Sequence, residues 1–318
     1  MKKVAVLTSG GDASGMNAAI RAVVRSAIYK NMEVYGVYHG FEGLIAGELT
    51  QLTRGSVADI IHRGGTILKT ARSEAFRTDE GRKQAKAELD KRGIENLIVI
   101  GGNGSLRGGY EFSRLGINVI GIPATIDNDI VYTDSIGFDT AVNTVLEAIN
   151  RIRDTATSHG RVFIIEVMGR DCGEIALAAG VAGGAESILI PEIEVDLDQV
   201  VEKINSGTRR GKLHSIIVVA EGVYDSMQLK EYLEKKTGQE TRVTILGHIQ
   251  RGGTPTAVDR ILASSMGHMA VELIDAGKHS LMVAGKGERV HSIPIQEVIN
   301  GTKTLELGMF EIARVLSL

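Results

Sequence analysis

A single cysteine in 318 residues, Cys172, cannot cross-link its own chain, so no disulfide framework is expected and a reducing compartment fits. Only four prolines occur and no Gly-X-Y period, which excludes a collagen-like or proline-rich linker protein. No apolar run reaches the ~18 positions that a bilayer span requires, so no membrane partner is expected. The 36 Lys and Arg stand against 39 Asp and Glu, a formal charge of −3 that supplies no chain-wide basic field, and nucleic acid is excluded as a partner. Met1-Lys2-Lys3 and the short run Val4 to Leu7 are too brief for a secretory signal, so the cytoplasm is expected. No low-complexity tract and no repeat of roughly 20 to 50 residues is present, which removes solenoids.

What the chain has in excess is glycine, 39 of 318 residues, roughly 12% against an ordinary ~7%. Its length is about twice that of a typical domain. Short runs rich in β-branched residues recur at Val4 to Leu7, Val34 to Val37, Leu97 to Ile100, Val119 to Ile122, Val162 to Val167, Ser187 to Ile190, Ser215 to Ala220 and Val243 to Leu246. Such runs suit strands buried on both faces of a parallel sheet. Segments of helical period separate them, among them Met16 to Tyr29, Gly81 to Arg92, Ser105 to Leu115, Thr140 to Asp154, Gly173 to Val181, Leu197 to Ile204 and Thr256 to Ile274. The alternation predicts an α/β fold with doubly wound, largely parallel sheets.

In such sheets ligands bind beyond the carboxyl ends of strands, so the residues after each run carry the functional signal. They are Thr8-Ser9-Gly10-Gly11-Asp12 through Asn17, Gly101-Gly102-Asn103-Gly104-Ser105, and Pro123-Ala124-Thr125-Ile126-Asp127-Asn128-Asp129. Glycines between a strand and a helix let backbone N–H groups approach phosphate oxygens, though a strand–Gly–helix corner also simply turns the chain. Neither turn is a P-loop or a dinucleotide fingerprint: Met16-Asn17 follow Gly15 where Lys and Ser/Thr are needed, and Arg107 stands where a third Gly is needed. Asp127 and Asp129, two apart at a strand end, could divide the tasks of proton acceptor and metal orientation, or cap an Asx-rich turn. Arg21 and Arg25 lie four apart on one helix face, a like-charge pair that either is solvated or receives an anion. Polar residues follow three later runs: Met168-Gly169-Arg170, Glu221-Gly222 and Gly247-His248-Ile249-Gln250-Arg251-Gly252-Gly253. No zinc spacing and no Gly-x-Ser-x-Gly elbow occurs.

Together these six motifs, in this order from Lys3 to Leu318, resemble bacterial 6-phosphofructokinase, most closely the short ATP-dependent enzymes of Gram-positive bacteria. The resemblance implies two α/β domains with the active site in the cleft between them. The larger, nucleotide-binding domain would take 1–137 and 251–300, and the smaller, sugar-phosphate-binding domain 138–250 and 301–318. It implies ATP beside Gly11, Arg72, Ser73, Gly102, Asn103, Gly104, Ser105 and Gly108. Fructose 6-phosphate would meet Thr125, Asp127, Met168, Gly169, Arg170, Glu221, His248 and Arg251, with Arg161 and Arg242 reaching over from a neighbouring subunit of a homotetramer. Asp127 would be the base, supported by Thr125 and Arg170, and Asn103 and Asp129 would face Mg²⁺. Arg21, Arg25, Arg54, Arg153, Glu186, Arg210 and Lys212 match an effector pocket for ADP or phosphoenolpyruvate.

Several positions depart from the family pattern: Asn103 stands in place of Asp, Ala124 in place of Gly, Ser14 in place of Pro, and Lys69 and Ser73 in place of Tyr and Cys. Asn103 removes a formal charge from a site that relies on one or two carboxylates. The leading expectation is phosphoryl transfer from MgATP to the 1-hydroxyl of fructose 6-phosphate, with allosteric control. An alternative is a catalytically impaired regulatory subunit that binds nucleotide or effector. A third reading, pyrophosphate as donor, is opposed by Gly104 and Ala124, which leave room for a nucleotide.

Overall fold

The computed structural model describes residues 1–286, 289–306 and 308–316. In chain order the elements are β1 (Lys3–Ser9), α1 (Met16–Tyr29), β2 (Glu33–Val37), α2 (Gly40–Ala46), β3 (Leu49–Leu52), α3 (Asp79–Asp90), β4 (Asn96–Gly101), α4 (Asn103–Ser113), β5 (Asn118–Pro123) and α5 (Phe138–His159). There follow β6 (Val162–Val167), α6 (Glu174–Ala182), β7 (Ser187–Leu189), α7 (Leu197–Arg209), β8 (Ser215–Ala220), α8 (Ser226–Thr237) and β9 (Thr241–Ile245). The chain ends with α9 (Ala257–Asp275), β10 (Leu281–Lys286), β11 (Arg289–Pro294), α10 (Ile295–Asn300) and α11 (Gly308–Leu316). Among the described residues no helix is long and apolar enough to cross a membrane.

The chain divides into two compact units, Met1–Thr140 with Arg251–Lys303, and Ala141–Gln250 with Thr304–Leu318. Unit one is built on a seven-stranded sheet of order β11-β10-β5-β4-β1-β2-β3. Its central strands are parallel, and β3 and β11 run antiparallel at the two edges. Val4 to Leu7 and Leu97 to Ile100 are wholly buried, which is why they read as unbroken apolar runs. Each such Leu, Ile or Val contributes roughly 1.5–3 kcal/mol on burial. One face is filled by Leu7, Val99, Val119 and Phe112 together with Leu89 of α3 and Leu44 of α2.

On the other face α1 lies against α9. Ile20, Val23, Val24 and Ala27 line the buried side of α1 at helical spacing. Gly267 of α9 permits the close approach, since a Cβ there would stand 2.7 Å from Ala22 Cβ and 2.8 Å from the Ala19 carbonyl oxygen. Asp259, 1% exposed, ties the start of α9 to the start of α5: its carboxylate accepts from the Gly137 and Thr140 amides, both at 2.8 Å, and from Thr140 Oγ1 at 2.5 Å.

Unit two holds a parallel four-stranded sheet of order β7-β8-β6-β9. Ile164, Ile217 and Val219 pack with Val200 and Ile204 of α7 and with Leu229 and Leu233 of α8. Asp196 and Asp225 cap α7 and α8 by accepting from the amides of Gln199 (3.0 Å) and Gln228 (2.7 Å).

Candidate active site

Three corners meet at the carboxyl edge of the unit-one sheet. The registers Ser9↔Gly101 and Gly101↔Pro123 set the ends of β1, β4 and β5 side by side. Gly10–Asp12, Gly102–Gly104 and Ala124–Asp129 therefore emerge as neighbours. At β1 the order turns, β2 lying on one side and β4 on the other, and this is where open α/β sheets bind ligands. The two helices that start here, α1 from Gly15 and α4 from Gly102, have no side-chain cap, which suits an anion at either helix terminus.

The Arg251 guanidinium lies against Gly11: a Cβ there would sit 2.4 Å from Arg251 Nη1, so a larger residue would displace that side chain. The Arg251 loop is fastened by Ser14, whose hydroxyl donates to the carbonyls of Gly252 (3.1 Å) and Gly253 (2.9 Å). Thr70 Oγ1 donates to the Gly10 carbonyl at 2.7 Å and Thr8 Oγ1 to that of Lys69 at 2.8 Å, bringing the exposed Arg72 and its neighbour Ser73 toward the same corner. Gly108 faces the Phe41 ring, and a Cβ there would stand 3.2 Å from it. Phe41 stacks on Phe76 at 4.0 Å between centroids, forming an aromatic wall beside α4. The sequence offers no motif for this wall, only two isolated aromatics.

The segment after β5 is held from several sides. The Thr125 amide donates to the Ile136 carbonyl (3.0 Å), and the Asp127 amide to Thr125 Oγ1 (3.2 Å). Asn128, in a left-handed conformation at φ 54°, accepts from the Ser135 amide at 2.9 Å. Lys303 Nζ donates to the Asn128 carbonyl at 2.5 Å. Asp127 is 3% exposed, Asp129 half-buried. Asn103, the first residue of α4, donates from Nδ2 to Asp129 Oδ2 at 3.0 Å.

In unit two the carboxyl edge of the sheet gathers a second group. Glu221, directly after β8, accepts from the amides of Gly169 (3.2 Å) and Arg170 (2.9 Å), which follow β6. Gln250, 1% exposed, accepts from the Met168 amide at 3.2 Å and donates to the Gly247 carbonyl at 3.0 Å. Met168, Gly169, Arg170 and Glu221 are thus brought together, and the exposed His248 follows β9 on the same edge. Arg161 and Arg242 are not. Arg161 precedes β6, and Arg242 pairs in register with Phe163 near the amino edge of the sheet. The six residues of β6 put Arg161 roughly 20 Å from Arg170.

The remaining cations fall in both units. On α1, Arg21 is half-buried and Arg25 exposed, and Arg54 is exposed. Arg153 donates to the Gly183 carbonyl and, at 3.3 Å, to that of Gly184. Glu186, 8% exposed, pairs with Lys212 and accepts from the Ile216 amide at 2.5 Å, with Arg210 nearby in sequence and exposed. Glu186 also lines a recess of about 270 Å³ with Lys203 and Arg314. Burial, then the neighbouring Arg314, holds the Lys203 ammonium below its ordinary pKa. Neither Lys203 nor Arg314 belongs to a motif.

The phosphofructokinase family model matches residues 3–274. The chain belongs to the phosphofructokinase family. It is 56% identical over 319 residues to an ATP-dependent 6-phosphofructokinase of Brevibacillus brevis and 56% identical over 318 residues to one of Clostridium tetani, each pairing covering 100% of both chains. Among solved structures, phosphofructokinase from Saccharomyces cerevisiae superposes with a TM-score of 0.89 at 36% identity, covering 100% of this chain and 48% of that one. A pyrophosphate-dependent phosphofructokinase from Marinobacter aquaeolei shares the fold, with a TM-score of 0.87 at 24% identity over 96% of this chain and 86% of that one.

Proposed function

We propose that this phosphofructokinase transfers the terminal phosphoryl group of ATP to the 1-hydroxyl of fructose 6-phosphate, giving fructose 1,6-bisphosphate and ADP in the cytoplasm. The observation that carries this reading is full-length identity of 56% to proteins named for the ATP-dependent reaction. The placement of every glycine-rich motif at the carboxyl edge of a parallel sheet supports it.

On this reading the nucleotide lies along Gly11, Arg72, Ser73 and Gly102 to Gly108, its phosphates at the uncapped start of α4. Thr125, Asp127, Met168, Gly169, Arg170, Glu221, His248 and Arg251 bind the sugar phosphate. Asp127 accepts the proton of the attacking hydroxyl, and its rigid loop fixes the direction of that acceptor. Arg170 stabilises charge that develops on the transferring group. The donor set fits Mg²⁺: Asp129 supplies a half-exposed carboxylate oxygen and Asn103 an amide, where the ion ordinarily needs one or two carboxylates beside substrate phosphates. When bound, Mg²⁺ would neutralise phosphate charge.

Arg161 and Arg242 are assigned to the sugar phosphate of a neighbouring subunit in a homotetramer. The ~20 Å between Arg161 and Arg170 within one chain supports that assignment, since one small substrate cannot span it. Arg21, Arg25, Arg54, Arg153, Glu186, Arg210 and Lys212 are assigned to an ADP or phosphoenolpyruvate pocket, supported by the like-charged pair on α1 and by the Glu186–Lys212 cluster. The test of the activity is a coupled assay for fructose 1,6-bisphosphate with ATP and with pyrophosphate as donors.

A further inference from the structure

Three charged side chains stand together at the amino edge of the unit-two sheet. Parallel pairing of β6 with β9 sets Val162 opposite Thr241 and Phe163 opposite Arg242, and the Val162 amide donates to the Glu240 carbonyl at 3.1 Å. Arg161 and Glu240, the residues just ahead of the two strands, are therefore neighbours, and alternation along β9 returns Arg242 to the side of Glu240. The contacts follow. Arg161 Nε donates to Glu240 Oε2 at 2.6 Å, and Arg242 Nη2 pairs with the other carboxylate oxygen, Oε1. One carboxylate thus bridges two guanidiniums, each of which keeps further N–H donors. The cluster carries two positive charges and one negative.

We propose that Glu240 is an internal counter-anion, holding Arg161 and Arg242 in place of a ligand phosphate and thereby setting how tightly that pair takes the phosphate of the sugar substrate. The inference rests on the assignment of the two arginines to the sugar phosphate. Without Glu240 the guanidiniums would repel each other and attract any small anion. With it, an arriving phosphate dianion must draw donors away from the carboxylate or share the arginines with a like charge, and either course weakens binding. The side chains of Arg161, Glu240 and Arg242 are 28%, 43% and 53% exposed, so solvent screens the bridge and a multiply charged ligand can displace it. Burial works to raise the Glu240 carboxyl, but Arg161 and then Arg242 outweigh it and leave the group below its ordinary pKa, so its charge is present at neutral pH.

The test is Glu240→Gln, which keeps the shape and one acceptor oxygen and removes the charge. Calorimetric binding of fructose 6-phosphate to the whole protein is measured for the parent, E240Q, R161S, R242S and the E240Q/R161S double variant, with KM and kcat alongside. E240Q is expected to tighten fructose 6-phosphate binding by about three- to tenfold and to lower KM in step, with kcat within about twofold of the parent. In the R161S background the gain should shrink, because one of the restrained cations is gone. Unchanged or weaker binding in E240Q, while R161S and R242S bind poorly, would overturn the counter-anion role and leave Glu240 as a structural brace. Unchanged binding in both arginine variants would instead remove the arginines from the substrate site, and the proposal with them.

Discussion

Asn103 donates from its side-chain amide to the carboxylate of Asp129 at 3.0 Å, joining the first residue of α4 to the segment after β5. An aspartate at 103 could not make this bond. It would set two carboxylates face to face, an arrangement that repels in the metal-free protein and attracts a divalent cation. If Asp129 holds Mg²⁺ as proposed, an amide at 103 favours the empty site over the loaded one. Asn103→Asp should raise activity and lower the Mg²⁺ concentration needed for half-maximal rate by about 10–100-fold. The same variant should melt at a lower temperature than the parent in the presence of a chelator, with Mg²⁺ and nucleotide restoring the difference. Equal Mg²⁺ dependence in the two proteins would mean that residue 103 does not face the metal.

Asp127 is buried in a loop held by Thr125, Ser135 and Lys303, and in the proposed mechanism a base so fixed contributes through its position as well as its charge. Asp127→Ser should lower kcat by roughly 10²–10⁴-fold and change fructose 6-phosphate affinity far less. Steady-state kinetics with a separate binding measurement checks both halves of that expectation. Near-parental turnover would take Asp127 out of the mechanism.

Arg161 and Arg242 sit at the end of their sheet away from Arg170 and Glu221, so on the proposed assignment their value to the substrate depends on a second copy of the chain. Replacing either by Ser should raise KM for fructose 6-phosphate about ten- to 150-fold, from the loss of ~1.5–3 kcal/mol in charge-assisted bonding to phosphate. Dilution to monomers, followed by ultracentrifugation, should weaken substrate binding in parallel. A monomer with full affinity would contradict the shared site.

Asp259 binds three donors from the turn into α5 while almost wholly buried. Asp259→Ala leaves those donors unsatisfied and should cost about 3 kcal/mol or more in unfolding free energy, measured by denaturant titration. Burial, against the bonds from Thr140 and Gly137, raises its carboxyl pKa in the folded state. The folded protein then binds more protons, so this group's contribution is full below the unfolded value and lost as pH rises through the folded one. The alanine variant should lack that slope.

Most strands legible in the sequence are buried on both faces. β1, β4, β5, β6 and β8 stand close to where their apolar runs predict them, with Glu166 of β6 the one charged residue inside those runs, and the half-buried β2 and the short β7 were legible too. The edge strands β3 and β11 hold at most one buried residue each and no unbroken apolar run, whereas Leu281 to Ala284 of β10 form an apolar run that the expected strands above do not include. β9 begins at Thr241 rather than Val243, because pairing with β6 recruits the polar Thr241 and Arg242 into the strand. Likewise α4 begins at Asn103, ahead of the expected Ser105, since the strand ends at Gly101 and Gly102 alone separates it from the helix. The charged α8 has only Leu229 and Leu233 as deep anchors, too few to show a period. At the site, the corners were legible because each follows a strand. Phe41, Phe76 and Glu240 were not: each acts through a contact with a residue distant in sequence, and no local pattern marks such a partner.

The central claim is the reaction and its donor. The most direct measurement is the rate of fructose 1,6-bisphosphate formation by the purified protein, coupled to aldolase and a dehydrogenase, with Mg²⁺ and either ATP or pyrophosphate. Turnover with ATP that falls by roughly 10²–10⁴-fold in Asp127→Ser, and none with pyrophosphate, is the predicted result. Product formed only from pyrophosphate, or from neither donor even after Asn103→Asp, would contradict it.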